Sequence, residues 1–404
     1  MEHLQPTKQQ LDFLNWEFGV FFHFGIRTFF EGHRDWDMQE MPLEQFRPDS
    51  LDCEQWISTV KEAGAKYAIL VTKHHDGFAN WPSEYTDYSV ANTPWKDGKG
   101  DVVREFTDAC RKYGIKVGLY YSPADFKSKQ RTGAEHDDFF ISQIGEILTG
   151  YGKIDYLWFD GCGSEGHQYD EERIVRAIRS MQPEILIFNM WDPNTRWVGN
   201  ECGLADLDNS NVVSHVAFSI LTEEKDALKQ ERFLPAECDC MLRYSNWFYS
   251  DGDADTVKSL EELLGMYENS VGRGANLLLN VGPDRRGLLP EKDAARLVEF
   301  GRAVRARYAE PLAELREDVL RLERAELVNQ VVLEEDLTFG EHIEGFEIWA
   351  EAYLGGREFL MYRGTAVGHK RICSFPVVRT AKLTVKVTGA GGTYALRGRA
   401  YHVS

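Results

Sequence analysis

The stretch Lys153-Ile154-Asp155-Tyr156-Leu157-Trp158-Phe159-Asp160-Gly161 reads as a buried strand that ends in an acid. Ile154 to Phe159 is short, aromatic and β-branched, and Gly161 breaks the run directly after Asp160. An ionised carboxylate at the mouth of such a strand is costly unless a partner or a reaction uses it. A helix N-cap or a salt-bridged strand end would use it structurally. Trp158 and Asp160 share strand parity and so point to one face, and the neighbouring strands end in functional groups too, which favours a catalytic Asp.

Those neighbours repeat the pattern in both directions. Trp56, Ile57, Val60 and Ala63 fall at helical spacing before Gly64, and the strand Tyr67-Ala68-Ile69-Leu70-Val71-Thr72 then runs into Lys73-His74-His75-Asp76-Gly77. Asp101 caps a helix carrying Val102, Val103, Phe106, Ala109 and Cys110, and Ile115 to Leu119 leads into Tyr120-Tyr121-Ser122. Phe139, Phe140, Ile144, Ile147 and Leu148 mark the helix before the Asp160 strand. Asp170 to Met181 is the helix after it, followed by the strand Glu184 to Asn189. Phe18 to Gly25 is a first strand carrying His23. Phe233 to Cys238 and Gly274 to Pro283 read as later strands around a helix from about Val257 to Tyr267, and the charged segment Thr222 to Gln230 reads as helix or loop.

Helix and strand alternate with a period of roughly 30 to 45 residues, which predicts a (β/α)8-like TIM barrel with its chemistry at the C-terminal face. The eighth strand is not readable. The helix from Glu291 to about Tyr308 and the charged stretch from Glu314 to Glu326 close this domain, which is assigned to residues 1–315. Residues 316–404 are assigned to a small antiparallel β-sandwich, from the short alternating runs Gly345 to Ala350 and Lys382 to Val387 between Gly turns.

The 404 residues suit a barrel plus an accessory module, and a net charge of −19 argues against nucleic acid or an anionic membrane as partner. The N-terminus lacks a charged and apolar leader, and seven scattered cysteines suit a reducing compartment, so a cytoplasmic protein is expected. Cys238-Asp239-Cys240 reads as buried thiols, because no second Cys pair or patterned His accompanies it. His74 and His75 would face opposite ways on a regular strand, so no metal and no cofactor is expected.

Phe18-Gly19-Val20-Phe21-Phe22-His23-Phe24-Gly25, Thr72-Lys73-His74-His75-Asp76-Gly77-Phe78, Gly118-Leu119-Tyr120-Tyr121-Ser122, Leu157-Trp158-Phe159-Asp160-Gly161 and Leu277-Leu278-Leu279-Asn280-Val281-Gly282-Pro283 together resemble the α-L-fucosidases of glycoside hydrolase family 29. The resemblance spans nearly the whole chain. It implies Asp160 as nucleophile, and His23, His74, His75, Tyr120 or Tyr121, and Trp158 as groups that hold the fucose. It also implies an acid-Trp pair after the first strand, usually Glu-Trp, where this chain has the shorter acid in Asp35-Trp36. Arg196-Trp197-Val198-Gly199-Asn200-Glu201 resembles the branch acting on branched α-1,3 and α-1,4 fucosides, which makes Glu201 the acid/base. Glu237 in Pro235-Ala236-Glu237 matches a family motif as well and competes for that role or for a substrate or supporting contact.

The chemistry asks for these residue types. A retaining glycosidase needs one ionised carboxylate and one protonated carboxyl roughly 5 to 5.5 Å apart. Tyr and His donors would stabilise the charge on Asp160, and a less polar setting near Trp197 would keep the proton on Glu201. Imidazoles hydrogen-bond sugar hydroxyls, and aromatic rings meet the apolar face and methyl group of a deoxysugar. The expected partner is a fucosylated oligosaccharide. The rival readings are a broad-specificity α-L-fucosidase, an α-L-galactosidase, since an apolar pocket rejects one added hydroxyl only modestly, and a non-catalytic sugar-binding barrel, which should lack the acid pair.

Overall fold

The computed structural model describes residues 4–32, 39–126, 130–164, 166–217 and 225–403. The chain opens with α1 (Lys8–Leu14) and β1 (Phe18–Phe22), followed by α2 (Cys53–Ala63), β2 (Tyr67–Lys73), α3 (Val102–Tyr113), β3 (Lys116–Tyr121), α4 (Gly133–Gly150), β4 (Tyr156–Phe159), α5 (Glu171–Met181) and β5 (Leu186–Phe188). β6 (Arg196–Trp197), the ribbon β7 (Val212–Ala217) and β8 (Lys225–Phe233), β9 (Ala236–Met241), α6 (Leu260–Ser270), β10 (Asn276–Asn280) and α7 (Glu291–Arg307) complete the first unit. Helix starts follow from sequence chemistry. Asp52, Asp101 and Asp170 accept the backbone N–H of Gln55, Arg104 and Arg173, satisfying donors the helix leaves open.

Eight parallel strands form one sheet in the order β5-β4-β3-β2-β1-β10-β9-β6. The circle is nearly closed, and an isolated Phe188–Thr195 bridge spans the β5/β6 seam. Strand parity sorts the side chains. Val20, Phe22, Leu70, Leu119 and Phe159 pack outward against the helices, while Phe21, Tyr67, Ile69, Tyr120, Tyr156, Trp158, Phe188 and Leu278 fill the interior. Phe13 of α1 plugs the foot of the barrel against Tyr67 and Tyr156.

The strand unreadable in the sequence is β6, which has only two residues and no apolar run to betray it. Three further expectations are corrected in the segment that follows. Lys225 to Gln230 is neither helix nor loop: it belongs to β8, paired antiparallel with β7 outside the barrel. Phe233 ends that ribbon and Pro235 breaks the chain, so the barrel strand starts only at Ala236. The helix expected from Val257 begins at Leu260, where Ser259 caps it.

The second unit is one six-stranded antiparallel sheet of β11 (Ala313–Arg316), β12 (Val319–Glu335), β13 (Ile343–Glu351), β14 (Glu358–Gly364), β15 (Arg371–Ala390) and β16 (Leu396–Tyr401). Glu314 to Glu326 therefore belongs to this sheet and does not close the barrel; its charges lie on the solvent side of alternating strands whose other side buries Leu320 and Leu322. β12 and β15 pass through bulges, and both halves of each contribute to one core with Leu320, Leu333, Cys373 and Leu383. The sheet docks at the barrel foot through Ile372 N–H to Gly272 O and the Lys370–Glu17 ion pair. Among the described residues, no helix is long and apolar enough to cross a membrane.

Candidate active site

β4 sends Tyr156 and Trp158 into the barrel and leaves Asp160 just past its C-terminal end, with 26% of the side chain exposed. Both carboxylate oxygens are held. Tyr120 donates its hydroxyl to Oδ2 at 2.8 Å, and the Cys162 N–H donates to Oδ1 at 2.9 Å. His75 Nε2 stands 3.6 Å from Oδ2. The hydroxyl of Ser122 donates to Ala124 O, so it accepts from His75 Nδ1 at 2.6 Å, and Nε2 is left turned toward the acid.

His23, at the end of β1, is fixed in the same way. Its Nδ1 donates to Asn280 Oδ1 at 2.8 Å, while Asn280 Nδ2 donates to Trp247 O and so sets the amide's orientation. Burial pushes the His23 imidazole down to about 3, which keeps it neutral with Nε2 as an acceptor. The rings of Trp247 and Phe248 pack on His23 at 4.9 and 5.4 Å. His74 lies parallel to Tyr120, Tyr120 stacks on Trp158 and Trp158 on Phe188, giving an aromatic wall that runs toward Asp160.

Beneath this ring sits Glu237, fully buried on β9. Tyr67 donates to its Oε2 at 2.6 Å, and Trp158 Nε1 and Tyr156 donate to Oε1 at 2.8 and 3.3 Å. Burial raises its carboxyl to about 7 despite these three donors. Gly19 makes room for this arrangement, since a Cβ there would lie 2.4 Å from the Tyr67 ring. Glu237 thus orients Trp158 from below and faces the barrel interior, not the mouth.

Two residues further along β9, Asp239 has the same parity and stands one layer higher. Trp197 of β6 donates its Nε1 to Asp239 at 2.6 Å. Burial, with Glu201 nearby as a second cause, lifts the Asp239 carboxyl well above the usual range. The chain from Trp197 to Gly203 is laced to β9 by Val198 N–H to Glu237 O and Gly203 N–H to Asp239 O. Glu201, half-buried, comes to the same rim as Asp239 by this route.

The structure therefore gathers Asp160, His23, His74, His75, Tyr120 and Trp158 in one mouth, with Glu201 on its β9 rim and Glu237 under its floor. Tyr121 is the exception. It alternates with Tyr120, points outward, and donates to Gln143 of α4 at 2.7 Å. Asp35 and Trp36 lie outside the described residues. His74 and His75 do not separate as a regular strand would require, because the β2/β3 register slips between Val71 and Lys73 and the strand ends there. Donor atoms of His74, His75 and Asp160 come within 4.8 Å of one another, a spacing that could take a metal ion. Oδ2 already receives the Tyr120 hydroxyl, and the alternation of donors and acceptors suits the hydroxyls of a sugar. Sequence reading missed Asp239, Trp247 and Phe248; parity with Glu237 on one strand was the available signal for Asp239.

A family model described as alpha-L-fucosidase matches residues 1–307. Alpha-L-fucosidase 1 of Arabidopsis thaliana is 34% identical, over 94% of this chain and 84% of its own length. A crystal structure of a glycoside hydrolase 29 family member from an unknown rumen bacterium superposes with a TM-score of 0.89 at 31% identity, covering 100% of this chain and 78% of that one. A crystal structure from Bacteroides ovatus gives a TM-score of 0.88 at 34% identity over 98% of this chain and 74% of the other.

Proposed function

The chain belongs to the α-L-fucosidase family, glycoside hydrolase family 29, and is a glycoside hydrolase with α-L-fucosidase activity; on that premise we propose that it is a retaining exo-enzyme with Asp160 as nucleophile and Glu201 as acid/base. The observation that carries this reading is the setting of Asp160, a part-exposed acid at a barrel strand's C-terminal end with both oxygens held by neutral donors. In the first step one Asp160 oxygen bonds to the anomeric carbon of fucose while the glycosidic bond breaks, and Glu201 gives its proton to the leaving oxygen. Water then attacks the same carbon from the vacated side, Glu201 takes its proton, and Asp160 is released. His23 offers a lone pair to a sugar hydroxyl, His75 adds a polar ring beside Asp160, and the stacked wall of His74, Tyr120 and Trp158 lines the apolar side of the deoxysugar.

Glu201 is favoured over Glu237 for proton transfer because Glu237 is fully buried and shared by three donors, beyond reach of a leaving group at the mouth. The resemblance of Arg196 to Glu201 to the branched-substrate enzymes supports α-1,3/1,4 linkages on fucosylated oligosaccharides. Proton NMR of the first-formed sugar tests the mechanism: α-fucose from an α-fucoside is expected, and β-fucose overturns it. For linkage, kcat/KM on a Lewis-type branched trisaccharide should exceed that on 4-nitrophenyl α-L-fucoside. Equal values, or a preference for the aryl compound, leave a broad-specificity fucosidase.

A further inference from the structure

Cys202 directly follows Glu201, and Cys240 directly follows Asp239. The two cysteines face each other as an isolated antiparallel bridge, flanked by the Gly203 N–H to Asp239 O hydrogen bond at 3.2 Å. That flanking bond marks a non-hydrogen-bonded pair, in which Cα atoms sit about 4.5 Å apart with both side chains on one face. A disulfide accepts Cα separations of about 4.4 to 6.8 Å, so a pair of this type is one a disulfide can span. Along β9, Asp239 faces the barrel interior with Glu237 while Cys240 faces the helices, and Glu201 stands near Asp239.

Side-chain observations agree. Cys240 lies in the core between barrel and helices, and a Cβ added to Gly203 would come within 2.9 Å of its Sγ, so that sulfur lies under the Cys202–Gly203 turn. Cys202 is exposed, whereas Cys240 is buried. Lys258 donates to Met241 O at 2.8 Å and to Arg243 O at 3.0 Å, which brings a positive charge beside the pair.

We propose that Cys202 and Cys240 form an oxidisable pair whose disulfide clamps the Glu201 loop to β9. The co-reactant is a hydroperoxide such as hydrogen peroxide. The Cys202 sulfur attacks and breaks the O–O bond, becoming a sulfenic acid and releasing one water; the Cys240 thiol then attacks that sulfur, forming the S–S bond and releasing a second water. Two thiols lose two electrons and one peroxide gains them. Burial pushes the Cys240 thiol well above its ordinary range, so the exposed Cys202 meets the oxidant first. Because the bond forms in the arrangement already present, it holds Glu201 where it is and does not displace it.

The test treats the folded enzyme with hydrogen peroxide, alkylates it, and maps thiols by mass spectrometry. A peptide pair joined through Cys202 and Cys240 is expected, released by dithiothreitol and missing from Cys202→Ser. The oxidised enzyme should keep its kcat/KM within about twofold and lose activity on heating several-fold more slowly than oxidised Cys202→Ser. Cys202→Ser alters an exposed side chain, so its fold is not at issue. Independent alkylation of both cysteines after peroxide, over-oxidation of Cys202 without cross-linking, or equal heat inactivation of the two proteins would overturn the proposal.

Discussion

The wall of the barrel built by β1 to β4 and the wall built by β5, β6 and β9 hold their functional groups by different means. In the first, complete strands backed by α2, α3 and α4 end in His23, His75, Tyr120 and Asp160, and each group is locked by a neighbour: Asn280, Ser122, Asp160, and Tyr120 with Cys162. In the second, β6 is two residues long, no described helix links β5 to β6 or β6 to β9, and Glu201 rides on a loop fastened to β9. The wall of complete strands suits recognition of one small sugar. The wall of short strands and loops, flanked by the β7–β8 ribbon, suits the part of the substrate that varies and leaves.

Substitutions on the two walls should separate these roles. The largest effect is expected for Asp160→Gly, with activity below about one part in a hundred of wild type and partial rescue by azide on an activated aryl fucoside. A variant retaining more than that removes Asp160 as nucleophile. On the other wall, Glu201→Ala should slow natural oligosaccharides by about 10² to 10⁴ while sparing aryl fucosides, whose phenol leaves without a proton. If Glu237→Ala shows that leaving-group pattern and Glu201→Ala does not, the roles are exchanged.

Tyr120→Phe and Tyr121→Phe test strand parity. Removing the Tyr120 hydroxyl takes a hydrogen bond from a charged carboxylate, worth about 1.5 to 3 kcal/mol, so kcat/KM should fall roughly 10- to 100-fold. Tyr121→Phe should leave kcat/KM unchanged and lower thermal stability, because it strands Gln143 in the core. A matching loss of rate in both variants would contradict the inward and outward assignment.

The smallest effect concerns Glu237, whose carboxyl is raised by burial from 4.5 to about 7. Below pH 4.5 both folded and unfolded chains hold its proton, and between 4.5 and about 7 only the folded chain does. Its contribution to stability is therefore full at low pH and is lost as pH rises through about 7. The Tm of Glu237→Gln, measured against wild type, should improve across that window and then level off. A difference that stays flat with pH would show that Glu237 is ionised in the fold throughout.

Much of the first wall was legible because long parallel strands buried on both faces announce themselves as apolar runs, and the groups after them stand out as polar interruptions. Asp160, His23 and the pair Tyr120-Tyr121 are found this way. The second wall was not: a two-residue strand has no periodicity, and Lys225 to Phe233 is too charged to read as a strand until its pairing with Val212 to Ala217 is seen.

What the sequence determined by itself is the barrel, the order of its readable strands and the identity of the acid after β4, since these follow from local pattern. Only the tertiary structure decided which of two adjacent tyrosines reaches Asp160, that His74 and His75 share one mouth, that Glu237 supports Trp158 from below, and that Glu201 and Cys202 lie opposite β9. Each of these depends on strand register and on a break in a strand, and register is set by partners distant in the chain.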